Sequence, residues 1–157
     1  MQPKKIVDRK EIILVGMVWY GLPKSEEIGN LWQRFIAQEK LVKNKRENAG
    51  YEVWIWNEES EKTKKEAVFA GVEVGTIENL PLEMFVKILP PSKYAVFTIK
   101  ATEMHSDWSK SIYKEWLPKS DYEEKYKFLI EYYDEKRFKS MNDEKSEIDI
   151  YIPIKPK

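Results

Sequence analysis

The sequence predicts an α+β domain: a strand–helix–strand–strand unit present twice, with antiparallel sheets and the helices on one sheet face. Three observations predict it. Apolar residues alternate with period two in most segments and follow helical spacing in only two. Gly and Pro clusters punctuate the chain between those segments. The element order of residues 6–75 then returns over residues 93–155, and 157 residues are about the size of one domain, here taken as 1–157.

Glu11 to Tyr20 is apolar almost throughout, as a strand buried on both faces would be. Gly21-Leu22-Pro23 turns the chain, and Ser25 followed by Glu26 and Glu27 marks a helix start. Ile28, Leu31, Trp32, Phe35, Ile36 and Leu41 recur at helical spacing, which predicts a helix over 25–42 with Trp32 in its core stripe. After the polar loop Lys43 to Gly50, the strand Tyr51 to Asn57 puts Trp54 and Trp56 on one face and Tyr51, Val53 and Ile55 on the other. A charged hairpin turn leads to a strand over 66–74, where Phe69, Gly71 and Glu73 oppose Val68, Ala70, Val72 and Val74. Met84 to Leu89 is a further strand, stopped by Pro90-Pro91.

Lys93 to Lys100 reopens the order as a strand. Ser106 to Trp108 starts a helix carrying Ile112, Tyr113, Trp116 and Leu117, which Pro118 ends. Lys127 to Asp134 (Lys-Phe-Leu-Ile-Glu-Tyr-Tyr-Asp) is a strand with a carboxylate in its middle, so that Leu129, Glu131 and Tyr133 share a face. Glu147 to Ile154 is the last strand. Aligning the halves sets Trp54 on Glu131, Trp56 on Tyr133, and Phe69 and Gly71 on Asp149 and Tyr151. That alignment sorts the faces. Val53, Ile55, Ala70, Val72, Val74, Ile130, Ile148, Ile150 and Ile152 are expected under the helices. Trp54, Trp56, Phe69, Gly71, Glu73, Glu131, Tyr133, Asp149 and Tyr151 are expected together on an aromatic, acidic cleft that binds a ligand.

Composition narrows the function classes. Hydrophobic residues are 42% and charged residues 34%, in the range of folded globular proteins. Lys plus Arg equals Asp plus Glu at 27 each, which argues against direct nucleic-acid binding and against an anionic membrane surface. No apolar run approaches the roughly 20 residues of a membrane span, and the N-terminus has no signal-peptide pattern, so a cytoplasmic location is expected. The lack of Cys excludes disulfides and thiolate sites, and the lone His105 opens a helix, where a surface role is expected. No metal and no cofactor are therefore expected. Aromatics reach 13%, with 6 Trp and 9 Tyr, which suits a surface for flat ligands.

The chain resembles the GyrI-like domain, the effector-binding domain of AraC- and MerR-type multidrug regulators. The resemblance is carried by Lys4 to Val7 with Val15-Gly16-Met17, Leu31 to Phe35, Phe69 to Val74, Tyr94 to Phe97, Trp116 to Ser120, Tyr133-Asp134 with Arg137-Phe138, and Ile150 to Lys155. It implies two modules related by a pseudo-twofold axis with a ligand groove between them, and a pocket glutamate for lipophilic cations at the place of Glu131. It also implies alternatives: hydrolysis of cyclopropane-bearing alkylators by a Glu and a Tyr, or a protein partner, DNA gyrase or a separate regulator. The sequence starts directly at this domain, without a helix-turn-helix ahead of it, so the expectation is a stand-alone small-molecule binder.

Both chemistries centre on Glu131. A partly desolvated carboxylate rises in pKa unless a phenol or a cation compensates, and a bound cation would also meet the faces of Trp54 and Trp56. For hydrolysis, Glu131 would activate water while Tyr133 or Tyr151 stabilises the developing oxyanion.

Overall fold

A computed structural model describes all 157 residues. The strands are β1 (Lys5–Arg9), β2 (Ile12–Gly21), β3 (Ala49–Ile55), β4 (Glu66–Glu73), β5 (Phe85–Leu89), β6 (Ser92–Lys100), β7 (Tyr122–Glu124), β8 (Phe128–Asp134) and β9 (Glu147–Pro156). Helix α1 (Ser25–Gln38) follows β2, and a single turn, α2 (Ser60–Thr63), sits in the β3–β4 hairpin. A second long helical segment follows β6: α3 (Trp108–Lys110) passes into a π-helical stretch, Ser111–Trp116, and ends in the 3-10 turn Leu117–Lys119.

All strands join one antiparallel sheet in the order β1-β6-β9-β8-β3-β4-β2-β5, with β7 added to β9. The α+β class therefore holds. The order is symmetric about the β3–β8 pair, with β2-α1-β3-β4 on one side and β6-helix-β8-β9 on the other. The edge strands are exchanged: β1 precedes the first unit but pairs with β6, and β5 precedes the second but pairs with β2.

Both helices cover the same sheet face. Ile28, Leu31 and Phe35 of α1 cluster with Val15, Met17, Val68 and Ala70, and Ile112 and Trp116 of the second helix cluster with Phe97, Ile148 and Ile150. The other face carries no helix and is buried all the same. Leu14, Tyr51, Val53, Phe69, Tyr94 and Tyr151, from strands across the whole sheet, form one cluster. The sheet curls around them, so that Arg9 of β1 reaches Glu73 of β4 at 3.2 Å although these strands stand first and sixth in the order.

This curl corrects the expected faces. Ala70, Val72, Val74, Ile148, Ile150 and Ile152 do lie with the helices, but Val53, Ile55 and Ile130 belong to the concave side. The reason is position: β3 and β8 form the seam between the two helices, so the apolar faces of both strands turn to the concave core. Two element ends also differ from the periodicity. Helix α1 stops at Gln38 before a 3-10 turn over Glu39–Leu41 where Leu41 is exposed, and Ile36, within the helix, also faces outward. Strand β7 has only three residues, too few for a period-two pattern to show.

Candidate functional site

Along the seam, between the two helices, lies the polar part of the helix-side face. Strand register sets Glu52 of β3 directly opposite Glu131 of β8, and both are buried, at 4% and 6% exposure. Three aromatic donors serve them. Trp32 Nε1 donates to Glu52 Oε1 at 2.6 Å, Trp54 Nε1 donates to Glu52 Oε2 at 2.7 Å, and the Tyr133 hydroxyl donates to Glu131 Oε2 at 2.8 Å. Neither carboxylate is in an ion pair.

The elements around the pair explain its placement. Trp32 points from α1 across β3, over Gly50; a Cβ on Gly50 would come within 2.8 Å of the indole ring, so the glycine makes room for it. Trp32 then meets Tyr133 edge-on with ring centroids 5.9 Å apart, and Tyr133 meets Phe138 at 4.9 Å. Trp54 touches the cores under both helices. Trp56 lies two residues further along β3's direction, against Tyr113 of the second helix at 6.3 Å.

Burial raises the Glu131 carboxyl well above the usual carboxylate range, and the Glu52 charge and a hydrogen bond shared with Glu52 push it the same way. The Tyr133 hydroxyl opposes that shift only in part. Burial also lifts the Tyr133 phenol, helped by the charges of Glu131 and Glu52. Glu131 therefore holds a proton well above the pH at which an exposed carboxyl gives it up. The seam holds an aromatic-walled acidic pair with no Lys, Arg or His paired to it.

Of the residues expected in the cleft, Glu131, Tyr133, Trp54 and Trp56 meet along this seam. Phe69, Gly71, Glu73, Asp149 and Tyr151 do not; they lie on the concave side, with the sheet between. There they hold the fold. Glu73 is clamped by Arg9 and accepts from the Tyr51 hydroxyl at 3.3 Å. Asp149 is bound through both oxygens by Arg137 and accepts from Thr98 Oγ1 at 2.7 Å. Tyr151 packs between Tyr94 and Tyr132 at 5.8 and 5.9 Å. Gly71 pairs with Gly16 across β2–β4, where a Cβ on Gly71 would stand 2.3 Å from the Val15 carbonyl oxygen. Because strand parity puts Tyr151 behind the sheet, it cannot share a reacting centre with Glu131. His105 is exposed.

Sequence reasoning missed Glu52 and favoured the core stripe over ligand contact for Trp32. The signal was present: sliding the repeat alignment by two residues sets Glu52 on Glu131 and Trp54 on Tyr133, matching carboxylate to carboxylate and aromatic to aromatic.

Known proteins share this architecture. Residues 5–154 match the family Cass2, integron-associated effector binding protein. The transcriptional regulator BrlR of Pseudomonas aeruginosa is 34% identical over 152 residues, which is 96% of this chain and 54% of BrlR, so the chain spans about half the length of that relative. SAV2435, solved bound to tetraphenylphosphonium, superposes with a TM-score of 0.74 at 19% identity, covering 99% of this chain and 94% of its own. The EcmrR C-terminal domain gives 0.72 at 14% identity, covering 98% and 97%. The Vibrio cholerae integron cassette protein VCH_CASS2 gives 0.61 at 23% identity, again covering 98% and 97%. At these identities the solved structures establish the fold alone. No helix here is long and apolar enough to cross a membrane.

Proposed function

The chain belongs to the Cass2 family of integron-associated effector-binding proteins, and from that premise we propose that it binds lipophilic, aromatic cations in the seam between its two helices. The observation that carries this reading is the Glu52–Glu131 pair: two buried carboxylates face each other with no cation beside them. Such an arrangement costs folding free energy until a positive charge arrives. A cation delocalised over aromatic groups satisfies the site twice. It favours the ionised form of Glu131, and it lies against the rings of Trp32, Trp54 and Tyr133, each such contact contributing about 0.5–2 kcal/mol. The tetraphenylphosphonium held by SAV2435 is a ligand of this class.

Titration with tetraphenylphosphonium, followed by tryptophan fluorescence, tests the reading. Binding should quench the emission, since Trp32 and Trp54 touch the acidic pair, and Glu131→Gln should weaken the affinity by about tenfold or more. Unchanged affinity in Glu131→Gln would remove the glutamate from the account.

A further inference from the structure

At the level of Trp56 the seam has a second acidic locus on its flanks. Glu66 opens β4, and extending the β3–β4 register by one pair from Ile55–Ala67 puts it beside Trp56. Strand parity gives it the same helix-side face as Val68 and Ala70. On the other flank, Glu124 of β7 pairs with Ile154, a member of the core beneath the second helix, so it too faces the helix side. Both carboxylates are half-buried, and neither is in an ion pair.

Above them stands Tyr113, its ring edge-on to Trp56. Its hydroxyl oxygen is buried and has no hydrogen-bond partner, a state that is rare in folded proteins and points to a group still to be supplied. Burial raises the Tyr113 phenol, and the charges of Glu124 and Glu66 raise it further, so both acids lie within electrostatic reach of the orphan hydroxyl. Burial also raises the carboxyls of Glu66 and Glu124 themselves, the nearby Lys127 charge opposing it at Glu124.

We infer that Tyr113, Glu66 and Glu124 form a second pole of the seam that takes a protonated amine, so that the preferred ligands are elongated dications rather than compact monocations. The inference rests on the groove reading above and adds a ligand class to it. The level of Trp56 is four residues along β3 from Glu52, or about 13 Å at the rise of an extended strand. An amine at the far pole has N–H donors for the unpaired phenolic oxygen and for one or both carboxylates. Trp56, at the far pole, gives the end of the linking chain an apolar face.

Isothermal titration with decylamine, decanediamine and decamethonium, alongside tetraphenylphosphonium, tests this. Decanediamine should bind about tenfold more tightly than decylamine, since only the diamine spans both poles. In the Glu66→Gln/Glu124→Gln double variant that gain should vanish while decylamine and tetraphenylphosphonium bind as before. Decamethonium, charged at both ends but without N–H donors, should fall between the two amines. Equal affinities for decylamine and decanediamine in the wild type would overturn the second pole, and this comparison needs no variant to fold. A gain that survives the double variant would overturn the assignment to these acids, and decamethonium matching the diamine would remove the Tyr113 hydroxyl. If tetraphenylphosphonium binds and no amine does, the inference fails alone. If nothing binds, the groove reading fails with it.

Discussion

Glu131 and Glu52 carry different loads although they face each other across one pair of strands. Both oxygens of Glu52 receive indole N–H groups, while Glu131 receives one phenol and sits against its neighbour's charge. A carboxyl whose folded pKa lies above its unfolded value of about 4.3 binds more protons folded than unfolded between those two values. Its contribution to stability is fully present below the unfolded value and is lost as pH rises through the folded one. Thermal melts from acid to neutral pH should therefore show the wild type losing stability relative to Glu131→Gln, with the variant ahead by roughly 1–3 kcal/mol at neutral pH. A wild type that gains on the variant as pH rises would contradict the buried, protonated Glu131. A variant that folds better but binds cations worse is the signature of a group retained for function.

At the scale of elements, the Trp32–Glu52 hydrogen bond ties α1 to β3 and depends on the missing side chain of Gly50. Gly50→Ala should push the Trp32 indole off β3 and break its bond to Glu52, at a cost of about 1–3 kcal/mol in chemical denaturation. It should also weaken tetraphenylphosphonium binding; retained stability and binding would mean that Trp32 is not needed where it lies. Much of this level could be read from the residues. The period-two and helical patterns place the long strands and both helices, because each depends on burial of a face that its own spacing records. What could not be read is which face of β3 and β8 turns to which core. Both strands have apolar residues on one side and aromatics with a carboxylate on the other, and local pattern does not tell a helix-covered face from a concave one. Hence Val53 and Ile130 were expected under helices, and Phe69, Glu73, Asp149 and Tyr151 in the cleft. The carboxylates of Glu73 and Asp149 read as ligand groups because their arginine partners, Arg9 and Arg137, come from other segments of the chain.

For the whole molecule, the exchange of β1 and β5 between the halves makes one body of two repeats. Arg9 completes this closure: it bridges from the edge strand β1 to Glu73, which is buried and has the Tyr51 hydroxyl as its other donor. Arg9→Ala should thus destabilise the fold by about 2–3 kcal/mol, measured by denaturation, while leaving cation affinity unchanged because the sheet separates it from the seam. Loss of cation binding in a still-folded Arg9→Ala protein would show that the concave side takes part in recognition after all.

Cation binding at the acidic pair is coupled to the proton on Glu131, and that coupling is directly measurable. Isothermal titration of tetraphenylphosphonium in two buffers of unlike ionisation enthalpy, at a weakly acidic pH, measures protons exchanged on binding. The wild type should release protons on binding and gain affinity as pH rises, and Glu131→Gln should show neither effect. Binding of equal strength in both proteins, with no proton released, would contradict the coupling.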